Sequence, residues 1–79
     1  MNCGAIVKSL AGHDKDEFFV VIAADSEFAF IVDGKNKTLA KPKKKKYKHL
    51  EETGKYAQLS AYNPLYDAHI RKELKSLLK

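Results

Sequence analysis

Glu17-Phe18-Phe19-Val20-Val21-Ile22-Ala23-Ala24-Asp25-Ser26-Glu27-Phe28-Ala29-Phe30-Ile31-Val32 carries two β-strands and the turn between them. From Phe18 to Ile22 no polar residue interrupts the run, and its β-branched and aromatic types favour extended chain. An apolar run this short, bounded by turn residues, predicts a strand over Glu17–Ala24 that is buried on both faces and therefore central. Asp25-Ser26 forms a tight turn. Beyond it Phe28, Phe30 and Val32 alternate with Ala29 and Ile31, the period of two that a strand imposes. Phe18, Phe19, Phe28 and Phe30 are read as core rather than as a sheet platform for stacking bases, because a small barrel must fill its interior from such alternating positions.

Upstream, Gly4 to Ser9 reads as a shorter strand with Ala5, Val7 and Ser9 on one side and Ile6 and Lys8 on the other. Ala11-Gly12-His13-Asp14-Lys15-Asp16 then supplies turn residues and charge without periodicity, a loop in which Gly12 offers a positive φ. Downstream, Asp33-Gly34 is a strong hairpin signal, and Lys37-Thr38-Leu39-Ala40-Lys41 is expected to return as the next strand. Pro42 ends that ladder by removing a donor. Lys43 to Lys46 is too charged to pack and is read as a solvated loop, with Tyr47 to Leu50 as a short fifth strand.

Residues 51–63 show no clear period and are read as a connector. Asn63-Pro64 has the residue types of an N-cap and first helical position. A helix over 64–79 then presents Tyr66, Ile70, Leu74, Leu77 and Leu78 as one apolar stripe, with Asp67 and Arg71 spaced as an ion pair. The expectation is a single domain over 1–79, mostly β: a barrel of four to five antiparallel strands over 1–50, closed by a C-terminal amphipathic helix.

Charge is distributed unevenly. Lys35, Lys37, Lys41, Lys43, Lys44, Lys45, Lys46 and Lys48 hold eight of the fifteen Lys and Arg residues within Gly34–Leu50, a segment without Asp or Glu. The remainder carries seven basic and ten acidic residues, a balance of −3, so the formal +5 is local. Concentrated positive charge beside short strands is the footprint of a phosphate-backbone partner. Tyr47 adds a π-face suited to stacking on a base.

At this point the residues resemble a family. Gly4-Ala5-Ile6-Val7-Lys8-Ser9, Ala11-Gly12-His13-Asp14-Lys15 and Phe18–Ile22 look like a KOW motif, the strand-loop-strand unit of several ribosomal proteins and transcription elongation factors. Val32-Asp33-Gly34-Lys35, Lys41-Pro42-Lys43-Lys44-Lys45-Lys46, Lys48-His49-Leu50 and Asp67–Leu74 extend the similarity to short bacterial KOW-domain RNA-binding proteins related to an archaeal and eukaryotic large-subunit ribosomal protein. The resemblance implies a translation-type SH3-like barrel that binds structured RNA, often ribosomal, through the loop after the first strand and adjacent basic residues. By position that loop is Gly12, His13, Asp14 and Lys15. Many KOW loops carry a second Gly after the Lys, whereas this chain has Asp16 and then Glu17, two acids that repel a phosphate.

The resulting candidate RNA-binding set is Lys8, Gly12, His13, Lys15, Lys35, Lys37, Lys41, Lys43, Lys44, Lys45, Lys46, Tyr47, Lys48 and His49. A solvated, solubilising linker is the competing reading of Lys41–Lys48. His13 either contacts RNA or is an exposed spectator, His49 is read chiefly as a partly buried strand-end ring, and His69 as a packing residue. Cys3, His13, His49 and His69 lack metal-ligand spacing, and no nucleophile signature or phosphate-binding glycine loop is present. A non-catalytic, cofactor-free RNA-binding protein is therefore expected, with ribosomal or other translation proteins as further partners. The alternative is a protein-interaction module that docks through the barrel edge or the final helix. A lone cysteine, no apolar run of about 20 residues and no signal-like N-terminus point to the cytoplasm rather than a membrane.

Overall fold

The computed structural model describes residues 1–78. Five antiparallel strands, β1 (Ala5–Ser9), β2 (Phe18–Ala24), β3 (Phe28–Val32), β4 (Lys43–Lys46) and β5 (Leu50–Tyr56), form one open sheet in the order β4-β3-β2-β1-β5. The helix α1 (Asp67–Leu77) follows. The expected mostly-β architecture with a C-terminal helix is what the chain adopts, and the sheet is compatible with a small SH3-like barrel.

Strand parity builds two cores. Ala5, Val7, Phe19, Val21, Ala29, Ile31 and Leu50 cluster on one face of the sheet. Ile6, Val20, Val32, Ala57 and Ile70 cluster on the other, where Phe18, Leu74, Leu77 and Leu78 pack against them. β2 contributes to both, which is why an unbroken apolar run suits it, and it occupies the centre of the strand order as expected. Phe19 is fully buried and Phe18 lies against the helix cluster, but Phe28 and Phe30 remain half-buried and belong to neither cluster. Of the four, Phe18 and Phe19 thus serve the core as expected, and Phe28 and Phe30 do not.

The middle of the chain departs from expectation. Lys37–Lys41 is not a strand; residues 33–42 form turns, because Asp33 Oδ1 accepts the amides of Lys35 and Lys37, both at 2.9 Å, and holds the backbone in an Asx-type turn. Gly34 has φ +79°, the positive value its turn needs. The next strand is Lys43–Lys46, the run whose charge predicts a solvated loop. It pairs with β3 in the register Phe28↔Lys46, Ala29↔Lys45, Phe30↔Lys44 and Ile31↔Lys43. An edge strand needs a neighbour on one side only, and lysines there deter edge-to-edge association.

Tyr47–His49 is a 3-10 turn rather than a strand. Part of the supposed connector is β5, whose backbone pairs with β1 from Ser9↔Leu50 to Ala5↔Tyr56. The helix begins three residues later than Pro64: Tyr66 is its N-cap, with its amide donated to His69 Nδ1 at 3.0 Å. Asn63–Pro64 is a cis peptide preceding it. Ile70 is buried and Leu74, Leu77 and Leu78 pack as the stripe predicts, whereas Tyr66 is exposed. Asp67 and Arg71 do not pair with each other. Asp67 Oδ1 accepts the Leu39 amide at 2.8 Å, and Arg71 Nη1 donates to the Gly34 carbonyl at 2.5 Å, so both side chains strap the 33–42 loop to the helix. Lys79, the expected helix end, lies outside the described residues.

Candidate nucleic-acid interface

Because side chains alternate along β4, the lysine run divides into two pairs. Lys43 and Lys45 point to the face of Ala29 and Ile31, and Lys44 and Lys46 to the face of Phe28 and Phe30.

The inward pair meets an acid. Lys45 Nζ is buried and donates to Asp14 Oδ1 at 2.5 Å, Ser9 Oγ at 2.6 Å and the Ala11 carbonyl at 2.8 Å. Ser9 Oγ in turn donates to Asp14 Oδ1 at 2.7 Å, and Lys43 Nζ reaches Asp14 Oδ2 at 2.9 Å. Burial alone would favour the neutral acid, but the hydrogen bonds from Lys45, Ser9 and Lys43 outweigh it and hold the Asp14 carboxyl far below the ordinary carboxylate range. An ammonium with three acceptors and a buried counter-ion has no capacity left for a phosphate. Lys45 and Lys43 thus organise the loop after β1 by tying it to the sheet edge.

The outward pair has aromatic neighbours. Lys44 Nζ lies 4.3 Å and Lys46 Nζ 5.9 Å from the Phe28 ring centroid, and neither makes an ion pair among the described residues. Asp25, the acid whose field reaches Lys44, uses its Oδ1 to accept the amides of Glu27 and Phe28 at 2.9 and 2.8 Å. Those two bonds hold its carboxyl below the usual range.

The other candidates are dispersed around this edge. Lys8 is engaged with Asp16 at 3.6 Å. Gly12 has φ +86° at the loop tip, flanked by exposed His13 and Lys15. Asp16 itself has φ +72°, a left-handed backbone that a non-glycine residue seldom adopts. A small cleft of about 250 Å³ brings His13 together with Lys37 and Lys43, but Asp14, Glu17 and Asp33 line it too. Lys35 is exposed on a wider cleft of about 780 Å³, floored by Phe18, Leu74 and Leu78 and bordered by Arg71 and Lys75. Lys41 and Lys48 are exposed, and His49 is half-buried. Tyr47 packs against the inner cluster and donates its hydroxyl to the Asp25 carbonyl, so its ring serves the core rather than solvent.

Sequence reasoning favoured core packing over a base-stacking platform for Phe28 and Phe30, and missed Arg71 and Lys75 as surface features of this site. The first two were legible only by continuing the β3 alternation across to a β4 made of lysines. Among the described residues no three His, Cys, Asp or Glu side chains converge, and no helix is long and apolar enough to cross a membrane. Cys3 is exposed and directs its thiol to the Ile22 carbonyl. Set beside known proteins, the chain matches no family model and no curated protein.

Proposed function

We propose that this chain is a non-catalytic, KOW-type RNA-binding protein of the cytoplasm that contacts the phosphate backbone of structured RNA, with ribosomal RNA as the first candidate. One observation carries the reading. Of the eight lysines in the basic segment, two pair with Asp14, and the other six, Lys35, Lys37, Lys41, Lys44, Lys46 and Lys48, make no ion pair among the described residues. Unpaired cations fixed on turns and one sheet edge attract a polyanion, and contacts of this kind position RNA without reading base identity.

The test is binding to ribosomal RNA fragments across a salt series. Four to six phosphate contacts on single-stranded segments give a log-log slope of about −3 to −4. An affinity that hardly moves with salt would remove the phosphate reading. It would favour the second reading, a protein-docking module, for which the specific support is the open cleft of Phe18, Leu74 and Leu78 beside α1.

A further inference from the structure

We infer that the β3–β4 surface around Phe28 is a platform for an unpaired nucleotide, with the base stacked on the Phe28 ring and its flanking phosphates held by Lys44 and Lys46. This rests on the RNA reading above and assigns it a substrate class: single-stranded loops or bulges rather than uniform duplex.

The placement follows from parity and from where the helix stops. Phe28, Phe30 and Val32 share one face of β3, and Val32 is buried in the cluster that contains Ile70. The two phenylalanines lie outside that cluster and stay half-buried. Both rings are therefore partly open to solvent rather than enclosed by either cluster. What covers Phe28 here is a pair of ammonium groups, at 4.3 and 5.9 Å from its centroid.

Such a cover is easily exchanged. An exposed lysine over a phenylalanine is weakly held, whereas a base stacking on an aromatic ring is a stronger, sequence-tolerant contact. Lys44 and Lys46 are two residues apart on one face, about 6.6 Å along the strand, so on leaving the ring each can meet one of two successive phosphates. Asp25 is the nearby acid whose field reaches Lys44, but it makes no ion pair with either lysine, and its Oδ1 accepts the amides of its own turn. A duplex offers its bases edge-on within grooves, without a free face, while unpaired bases can be splayed onto an aromatic side chain.

The experiment compares an RNA hairpin bearing an unpaired loop of about eight nucleotides, within the site size typical of single-strand binders, with the same stem closed as a blunt duplex. The hairpin should bind at least about 10-fold tighter, ~1.4 kcal/mol. Phe28→Leu should remove most of that preference, Phe28→Tyr should restore it, and both should keep the urea midpoint near that of the parent. Ultraviolet crosslinking should join a loop nucleotide to Phe28, as mapped by fragment masses. Equal affinity for hairpin and duplex, or a Phe28→Leu protein that keeps the preference, overturns the platform while salt-dependent duplex binding leaves the backbone reading in place. Binding to neither RNA overturns both.

Discussion

Lys45 directs its charge into the fold, and the consequences are specific to individual residues. Removing one member of a buried, hydrogen-bonded ion pair leaves the other uncompensated, a loss of about 3–5 kcal/mol. Asp14→Asn should therefore cost on that order in urea unfolding, because Lys45 then keeps only neutral acceptors, the Ser9 hydroxyl, the Ala11 carbonyl and the new amide oxygen, and loses its counter-charge. Lys43 is about a third exposed on the same carboxylate, and Lys43→Ala should cost under about 1 kcal/mol. Equal losses would mean that the two lysines act alike, contrary to their burial. The pH dependence has a definite sign. The folded Asp14 carboxyl titrates below its unfolded counterpart, so its contribution is complete above the unfolded value of about 3.9 and is lost as pH falls toward the folded one. Thermal midpoints should stay level above about pH 5 and decline below about pH 4, with a shallower acid limb in Asp14→Asn. Asp16 is the opposite case, an acid at φ +72° whose partner Lys8 is loosely held. Asp16→Gly relieves a left-handed backbone at a cost below about 1 kcal/mol in lost contacts. It should also raise RNA affinity by removing a negative charge from the loop.

Elements whose residues advertise their own burial were legible, and elements that depend on a distant partner were not. β1, β2 and β3 follow from alternation and β-branched composition alone. β4 was missed because four consecutive lysines look unpackable until Asp14, 31 positions earlier, is brought beneath Lys45. β5 reads Leu-Glu-Glu-Thr-Gly-Lys-Tyr, and only Leu50 within it is buried, since its role is to hydrogen-bond β1 rather than to fill a core. The start of α1 was misplaced for a similar reason: Asp67 and His69 are committed to Leu39 and to the Tyr66 amide, partners that local spacing does not reveal. For the site, the basic segment was visible as composition, whereas its division into inward and outward lysines required the strand. The loop between β3 and β4 meets the helix at Gly34. A Cβ built there would stand 2.5 Å from the Asp67 carbonyl oxygen and 2.9 Å from Arg71 Cγ, on top of an unfavourable left-handed φ. Gly34→Ala should thus destabilise by about 2 kcal/mol or more and loosen the loop from the helix. A hydrogen-exchange comparison should show the Leu39 amide, bound to Asp67 Oδ1, losing protection first. Unchanged protection at Leu39 would show that the strap does not depend on Gly34.

Across the whole molecule the formal charge of +5 overstates uniformity, since a segment of eight cations sits against a remainder of −3. The ion pairs refine this picture: Asp14 draws two of the eight inward, and the external field of the basic segment comes from the other six. On the proposed reading, RNA binding should respond to those six through counter-ion release, each phosphate contact contributing about −0.7 to the log-log salt slope on single strands. Replacing Lys44, Lys46 and Lys48 together by Gln should flatten the slope by about 2 and leave the urea midpoint nearly unchanged, because all three are exposed and make no ion pair among the described residues. Lys45→Met should do the reverse, shifting stability while leaving the slope within about 0.3 of the parent, less than half of one contact. The two variants differ in net charge by only two units, so a slope that followed net charge alone would change under both. A slope that changes only when the outward lysines are removed identifies contact at the β4 edge. If Lys45→Met flattened the slope as much per charge as the triple replacement, the RNA would be responding to the diffuse field of the molecule, and the β4 edge would lose its claim as the interface.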